Sequence, residues 1–172
     1  MQVHDAIRTK RAVRQFSDKP LPAEAVEAIL NAGRRAQSSK NTQPWRFLAI
    51  QERETLEKLG YRGEQRTHFA DAALGVLILT PDPTDKPSIL FDAGQAAAYM
   101  QLAGWEEGVG SCIFSIREPE KARNVLGFSA DWHAGIAISF GYPQDAGELT
   151  DAPEKGGRLP YDEVVHHERW KS

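Results

Sequence analysis

Residues 38–47 read Ser38-Ser39-Lys40-Asn41-Thr42-Gln43-Pro44-Trp45-Arg46-Phe47. A polar loop of side-chain hydrogen-bonders runs to Pro44, a large aromatic follows, and then an apolar run, Phe47-Leu48-Ala49-Ile50. Gln43 precedes a proline, so its backbone is expected to be extended rather than helical. A row of Ser, Asn and Gln groups beside a strand that can be buried suits a polar, planar ligand with many acceptors better than a metal or a nucleophile. The same residues also serve as capping and turn residues in an ordinary helix-to-strand connection. On composition alone both readings stand.

Outward from this loop, the flanking pattern places it between a helix and a strand. Over residues 23–37, Val26, Ile29, Leu30 and Gly33 recur at helical spacing, with Arg34 and Arg35 in the last turn. A strand is expected over 45–50 and a short helix over 52–59, stopped by Gly60. Residues 61–70 are polar and weakly patterned, and read as loop or irregular helix. The continuous apolar run at 74–79 predicts a central strand buried on both faces. Residues 89–107 form the longest helix candidate, apolar all round, which predicts burial in the core or in a subunit interface. Strands are expected over 111–115 and 134–140, and a helix over 119–126 that Gly127 ends. At the N-terminus, residues 3–10 read as a short helix with Ile7 inward. The polar tail from 144 carries a late apolar patch, residues 164–170, expected as an edge strand lying along a partner subunit.

Composition bounds the function. The chain has 172 residues, 41% hydrophobic and 26% charged, which fits a single globular domain over 1–172. A net charge of −3 argues against a nucleic-acid partner. The single cysteine, Cys112, excludes an intramolecular disulfide and a paired-cysteine metal site. The opening residues lack the apolar run of a signal peptide, and no window is long and apolar enough to span a membrane, so a cytoplasmic location is expected.

No hydrolytic or nucleotide-fold signature stands out. Gly108-Val109-Gly110 follows a helix and enters a strand, the reverse of a dinucleotide fold. Neither a P-loop nor a G-x-S-x-G turn occurs. Cys112 lies mid-strand in an apolar run and reads as core. His166 and His167 are adjacent and would diverge in a strand, so no metal site is expected. What remains is Lys10-Arg11-Ala12-Val13-Arg14-Gln15-Phe16, with three cations in five residues. Such a run suits phosphate oxygens, and equally the solvated end of a helix.

Taken together, these segments resemble the FMN-dependent nitroreductase family. Residues 10–16 resemble its R-R-S-x-R/K-x-F opening, and Ala36-Gln37-Ser38 through Trp45 its A-P-S-x-x-N-x-Q-P-W segment. Gly108-Val109-Gly110-Ser111-Cys112 resembles its G-x-G-[ST]-C strand, Gly141-Tyr142-Pro143 its G-Y-P, and Gly157-Arg158-Leu159-Pro160 its basic tail. The motifs come in the family's order over nearly the whole chain. The resemblance implies an α+β fold: a mixed sheet with helices on both faces, a long central interface helix and a C-terminal tail exchanged between subunits. It implies a homodimer with FMN at the interface and NADH or NADPH as electron donor. Hydride would pass through flavin N5 to a nitroaromatic, quinone or similar small acceptor by a ping-pong cycle. It also implies alternatives within flavin chemistry (a flavin reductase or a dehalogenase), beside a flavin-binding module without turnover.

Carried over by position, Lys10, Arg11, Ala12 and Arg14 would meet FMN from one subunit. Lys10 and Arg11 would serve the phosphate and ribityl end, and Arg14 the polar edge of the ring. Ser38, Ser39, Asn41 and Gln43 would reach the FMN of the facing subunit. Ile113, Phe114 and Ser115 would line the ring by backbone, and Arg158 would close on the phosphate. No catalytic side chain and no metal are implied, because the flavin carries the chemistry. The chain departs from the family pattern in three places. Ala12 replaces the usual Ser, Lys10 the usual Arg, and Gly156-Gly157 leave only Arg158 of the tail's basic pair, unless Lys155 contributes. Gln65 and His68 are the nearest counterparts of the Asn and Lys that the family often supplies mid-chain.

Overall fold

The run at 74–79 anchors the architecture. A computed structural model describes residues 2–150 and 157–170. Its strand β4 (Leu74–Thr80) is buried at every position. Seven buried residues in a row cannot form a sheet edge, and β4 lies inside a four-stranded sheet of order β1-β4-β6-β5. The flanking strands are β1 (Arg46–Ile50), β5 (Gly110–Ser115) and β6 (His133–Gly141). All three ladders are antiparallel. The parallel component is a single bridge between Ala12 and Ser111. Between Ile78 and Leu79 the register to β6 shifts, because Gly135 is an extra residue there.

Alternation along the strands divides the core in two. Val76, Ile78, Ile138 and Phe140 pack with helices α2 (Ala23–Arg34) and α4 (Ser88–Glu106). Leu77, Leu79, Ala137 and Phe114 form the opposite cluster, with α3 (Arg53–Gly60) and α5 (Pro119–Leu126). The α+β arrangement with helices on both faces is therefore as expected. A Cβ at Gly33 would stand 2.7 Å from Met100 Cε, so α2 approaches α4 closely only because position 33 has no side chain.

Helix α4 departs from the expectation of burial all round. Ala93, Ala96, Ala97, Met100 and Trp105 face the core, whereas Leu90 is 53% and Phe91 73% exposed, with Tyr99 also outward. Gly94 and Ala98 lie on that same open side. A cavity of about 320 Å³ lies between this helix and the sheet, lined by Gly94, Ala98, Gln101, Ile113 and Ile136 among others. An apolar helix face left open beside an apolar cavity matches an interface better than a core helix.

Four local expectations are corrected. Helix α1 (Val3–Thr9) turns Ala6 inward and leaves Ile7 60% exposed, since the smaller side chain fits the approach to α4. Residues 61–70 contain a hairpin of β2 (Tyr61–Arg62) and β3 (Gln65–Arg66), made by Gly63 at φ 60°. The late patch is no edge strand: α6 (Tyr161–Val164) is a single exposed turn, and residues 167–170 are exposed coil. Gln43 is not extended but sits at φ 47°. Pro153, Lys155 and Gly156 lie outside the described residues.

Gly60 is the tightest glycine contact in the fold. A Cβ there would stand 2.3 Å from the backbone nitrogen of Ala70, where no side chain can yield. Gly60→Ala is expected to destabilise the protein by roughly 1–3 kcal/mol, the usual cost of overpacking. Urea denaturation with an unchanged m-value checks this.

Candidate functional site

Two glycines fix where the cation segment lies. The backbone N–H of Val13 donates to the Ser111 carbonyl at 3.0 Å, laying residues 10–16 along the free edge of β5. Val13 is fully buried against Gly110, where a Cβ would come within 2.7 Å of its side chain. Phe16 packs likewise on Gly141, bridging to Pro143. Ser17 N–H donates to the Tyr142 carbonyl and Gln144 N–H to the Gln15 carbonyl. Val13 and Phe16 are the buried anchors of the segment, Ala12, Arg14 and Gln15 are exposed, and Lys10 and Arg11 are partly buried.

The cations of this segment feel one another and Cys112. Burial lowers the Lys10 pKa, an interaction with Cys112 opposes it, and the charge of Arg158 adds a smaller lowering. Burial pushes the Cys112 thiol up, outweighing the charges of Arg14 and Lys10 and a hydrogen bond from Arg14. Cys112 therefore stays a thiol and is no nucleophile. Burial also lowers the His68 pKa, helped by the charges of Arg14 and Arg62 and opposed by Asp71. The Ser139 hydroxyl donates to the Cys112 carbonyl at 3.2 Å, so it accepts from His68 Nδ1–H at 2.8 Å, which assigns the tautomer. The His68 ring stands edge-on to Phe114 at 5.6 Å. A partly buried lysine and nearby arginines around a histidine whose pKa is lowered make an environment suited to an anion.

The loop at 38–43 is tightly built and lies elsewhere. Ser39 N–H donates to Oδ2 of the buried Asp92 on α4 at 3.0 Å, and Gln43 N–H to the Ser38 hydroxyl at 2.9 Å. Lys40, Asn41 and Gln43 take φ of 52°, 55° and 47°. Three non-glycine residues in left-handed backbone within four positions represent stored strain, and the Ser38 and Asp92 bonds hold it. The loop leads into β1, the edge of the sheet opposite β5. Three strand spacings, about 14 Å, separate those edges.

The family model for the nitroreductase family matches residues 7–66 and 61–142. The chain belongs to the nitroreductase family. It is 30% identical over 172 residues to a putative NADH dehydrogenase/NAD(P)H nitroreductase of Archaeoglobus fulgidus, covering 95% of this chain and 96% of that protein. A nitrobenzene nitroreductase of Ectopseudomonas oleovorans is 38% identical over 80 residues, covering 46% of this chain and 30% of that one. The crystal structure of an FMN-dependent nitroreductase from Clostridium difficile superposes with a TM-score of 0.80 at 25% identity, over 98% of this chain and 100% of that one.

Within this family member, the positions singled out in the sequence divide into two groups. Lys10, Ala12 and Arg14 lie in the segment along β5, the strand of Ile113, Phe114 and Ser115; Arg11 is in the same segment, and Arg158 acts on Lys10 by its charge. Ile113 and Ser115 are exposed and Phe114 is buried. Ser38, Ser39, Asn41 and Gln43 are not brought to them. Of the two mid-chain counterparts, His68 belongs to the first group, whereas Gln65 lies exposed in the hairpin. Ser139, which bonds His68, is not among the positions singled out in the sequence. A lone polar residue within the apolar strand Gly135-Ile136-Ala137-Ile138-Ser139-Phe140 was the available signal for Ser139. Arg62 reads in the sequence as a solvated surface cation that could also reach a nucleotide phosphate; the hairpin turns it onto Phe114, 4.7 Å from the ring centre. Among the described residues no group of His, Cys, Asp and Glu is placed to hold a metal.

His68 gives this region a pH signature. Its pKa is lowered on folding, so the unfolded chain binds the proton more readily. Stability from this group is complete above the ordinary histidine value near 6.5 and is lost as pH falls below it towards the folded pKa. Unfolding midpoints measured between pH 7.5 and 5 are expected to fall less steeply on acidification in His68→Asn than in the wild type.

Proposed function

We propose that this chain is an FMN-dependent oxidoreductase that takes hydride from NADH or NADPH and passes it to a nitroaromatic, quinone or similar small acceptor in a ping-pong cycle. The observation that supports it is the partly buried Lys10, which feels the charge of Arg158 and lies in the segment bridged to β5. A lysine whose ammonium is disfavoured by burial fits a phosphate, which would offset that cost. Bound FMN would supply the two-electron chemistry. The chain's residues supply position and charge.

In this reading Lys10, Arg11 and Arg158 hold the phosphate end. Ala12 leaves that end one hydroxyl short, and Lys10 offers a point charge instead of a planar fork. Arg14 lies near Cys112 and His68, where a fixed positive charge favours electron density arriving at the polar edge of a ring. Residues 113–115 present main-chain groups from an edge strand. His68, held as its Nδ1–H tautomer by Ser139, leaves Nε2 as an acceptor for a ring N–H.

The loop's position supports a homodimer. Ser38, Ser39, Asn41 and Gln43 stand at the far edge of the sheet, so they meet a ligand on β5 only across a second copy. The open face of α4 is the surface through which the copies would join, and Ser39 is tied to that helix through Asp92. The exposed Tyr161, Val164 and Trp170 of the tail suit contact with the partner. The name of the Ectopseudomonas relative supports a nitro compound as acceptor.

The deciding experiment is anaerobic. The purified protein is expected to be yellow or to become so with FMN, and NADH or NADPH should bleach it, with colour returning on addition of a nitroaromatic or quinone. A protein that FMN does not reconstitute sinks the enzyme reading, and a yellow protein that neither nicotinamide bleaches supports a binding module instead. Arg14→Ala should weaken FMN binding by roughly 1.5–3 kcal/mol, about ten- to a hundredfold. Ala98→Glu places a charge on the open face of α4. It is expected to yield monomers by ultracentrifugation and to lose FMN at the same time, whereas loss of dimer with FMN retained would contradict a site shared between copies.

A further inference from the structure

A second cavity, of about 300 Å³, opens between the β2–β3 hairpin and α5, and Tyr61, Arg62, Phe114, Arg117, Glu118 and Lys121 are among its walls. Three cations face one acid. Lys121 Nζ is 3.6 Å from Glu118 and donates to the Tyr61 carbonyl at 3.4 Å. Arg62 is held from two sides. Its Nη2 donates to the Ser115 carbonyl at 3.0 Å, and its guanidinium lies over the Phe114 ring. Among the described residues its Nε, although shielded from solvent, has no hydrogen-bond partner. Arg66, across the hairpin, is the opposite case: Asp71, Glu57 and the Tyr61 hydroxyl saturate it. Of the hairpin's two arginines, Arg66 is committed to Glu57 and Asp71, whereas Arg62, which lines the cavity, meets a carbonyl and a ring and no carboxylate among the described residues. A guanidinium without a carboxylate beside an open cleft suits an anion.

Resting on the proposed function, we infer that this cleft receives the phosphate groups of the dinucleotide that delivers hydride. The cleft shares Phe114 with the strand expected to line the flavin, and Arg62 grips the carbonyl of the next residue, Ser115. A dinucleotide whose nicotinamide lies over the ring must carry its diphosphate off one side, and the hairpin–α5 cleft offers net positive charge there. The guanidinium fork of Arg62 matches phosphate oxygens, and the partly exposed Tyr61 ring suits a flat base. The separate cation group of Lys10 and Arg158 belongs to the flavin phosphate, so the two anions do not compete.

The test uses the full-length, FMN-loaded protein with Arg62→Gln, Arg117→Gln and Lys121→Gln. Calorimetry with NADP+ and NAD+ gives binding without turnover. Steady-state kinetics compare NADPH and NADH with N-benzyl-dihydronicotinamide, a hydride donor that carries no phosphate. For Arg62→Gln and Lys121→Gln, about a tenfold rise is expected in the dissociation constant of the oxidised dinucleotide and in KM for the reduced one. Arg117→Gln, at the exposed rim, should show a smaller rise. FMN content and the kinetics with the phosphate-free donor should not change. A parallel loss with both kinds of donor, or loss of FMN, would mean that Arg62 merely props the flavin strand, and would overturn the inference. Unchanged dinucleotide binding in all three variants would overturn it too, as would a rise confined to para-nitrobenzoate as acceptor. Failure of the activity reading is distinguishable: a wild type that binds NADP+ through these residues, yet is bleached by neither kind of donor, keeps the cleft and loses the oxidoreductase.

Discussion

The contact of Val13 with Gly110 is the constraint on which the site depends. A side chain at position 110 would occupy the space Val13 fills, and residues 10–16 would have no seat on the sheet. With that seat, one backbone hydrogen bond to Ser111 sets the register of the whole cation segment. Gly141 does the same for Phe16 at the other end of the segment. The positions of Lys10 and Arg14 thus follow from two absent side chains on neighbouring strands. Packing, not attraction, brings the like charges together, and the partial burial of Lys10 favours an anion beside them.

The same demand accounts for the neutral groups nearby. Cys112 lies under two cations that would ordinarily favour a thiolate, but its strand is too well buried for the charge to form. His68 faces Arg14 and Arg62 and remains neutral for a related reason. Its orientation costs no charge, because Ser139 supplies a hydroxyl at the one polar position of that strand's buried end. The region therefore holds fixed positive charge on arginines, which cannot shed it, and neutral hydrogen-bonding groups between them. That division suits a ligand with a phosphate at one end and a polarisable ring at the other.

Much of this was legible in the sequence where the signal was local. The run at 74–79, the spacing along 23–37 and the stop at Gly127 are written in adjacent residues, and the structure follows them. The motif order identified the family. Signals that depend on tertiary contact were not legible. Ile7 looks like the inward residue of α1 until α4 proves too close for anything larger than Ala6. The hairpin at 61–66 rests on one glycine in the left-handed region, inside a segment without alternation. Gln43 should be extended before a proline, yet the Ser38 hydroxyl captures its N–H and holds φ positive. The role of Arg62 needed the hairpin, the Phe114 ring and the Ser115 carbonyl all to be placed.

That captured loop is also the clearest case of structure built for something beyond its own chain. Left-handed backbone at Lys40, Asn41 and Gln43 is unfavourable by about 1–3 kcal/mol per residue. The side chains so displayed are exposed, and no core gains from their arrangement. What holds the loop is Asp92, a buried carboxylate on the helix whose outer face is apolar and open. Any contact that fixes that face also fixes the loop, because both hang on α4. The loop's polar groups stand a sheet's width from β5 of their own chain, but the helix that positions them is the one through which a second copy would approach. In the proposed homodimer, ligand binding and association would be linked through a single helix, and each half of the site would wait on α4 being covered.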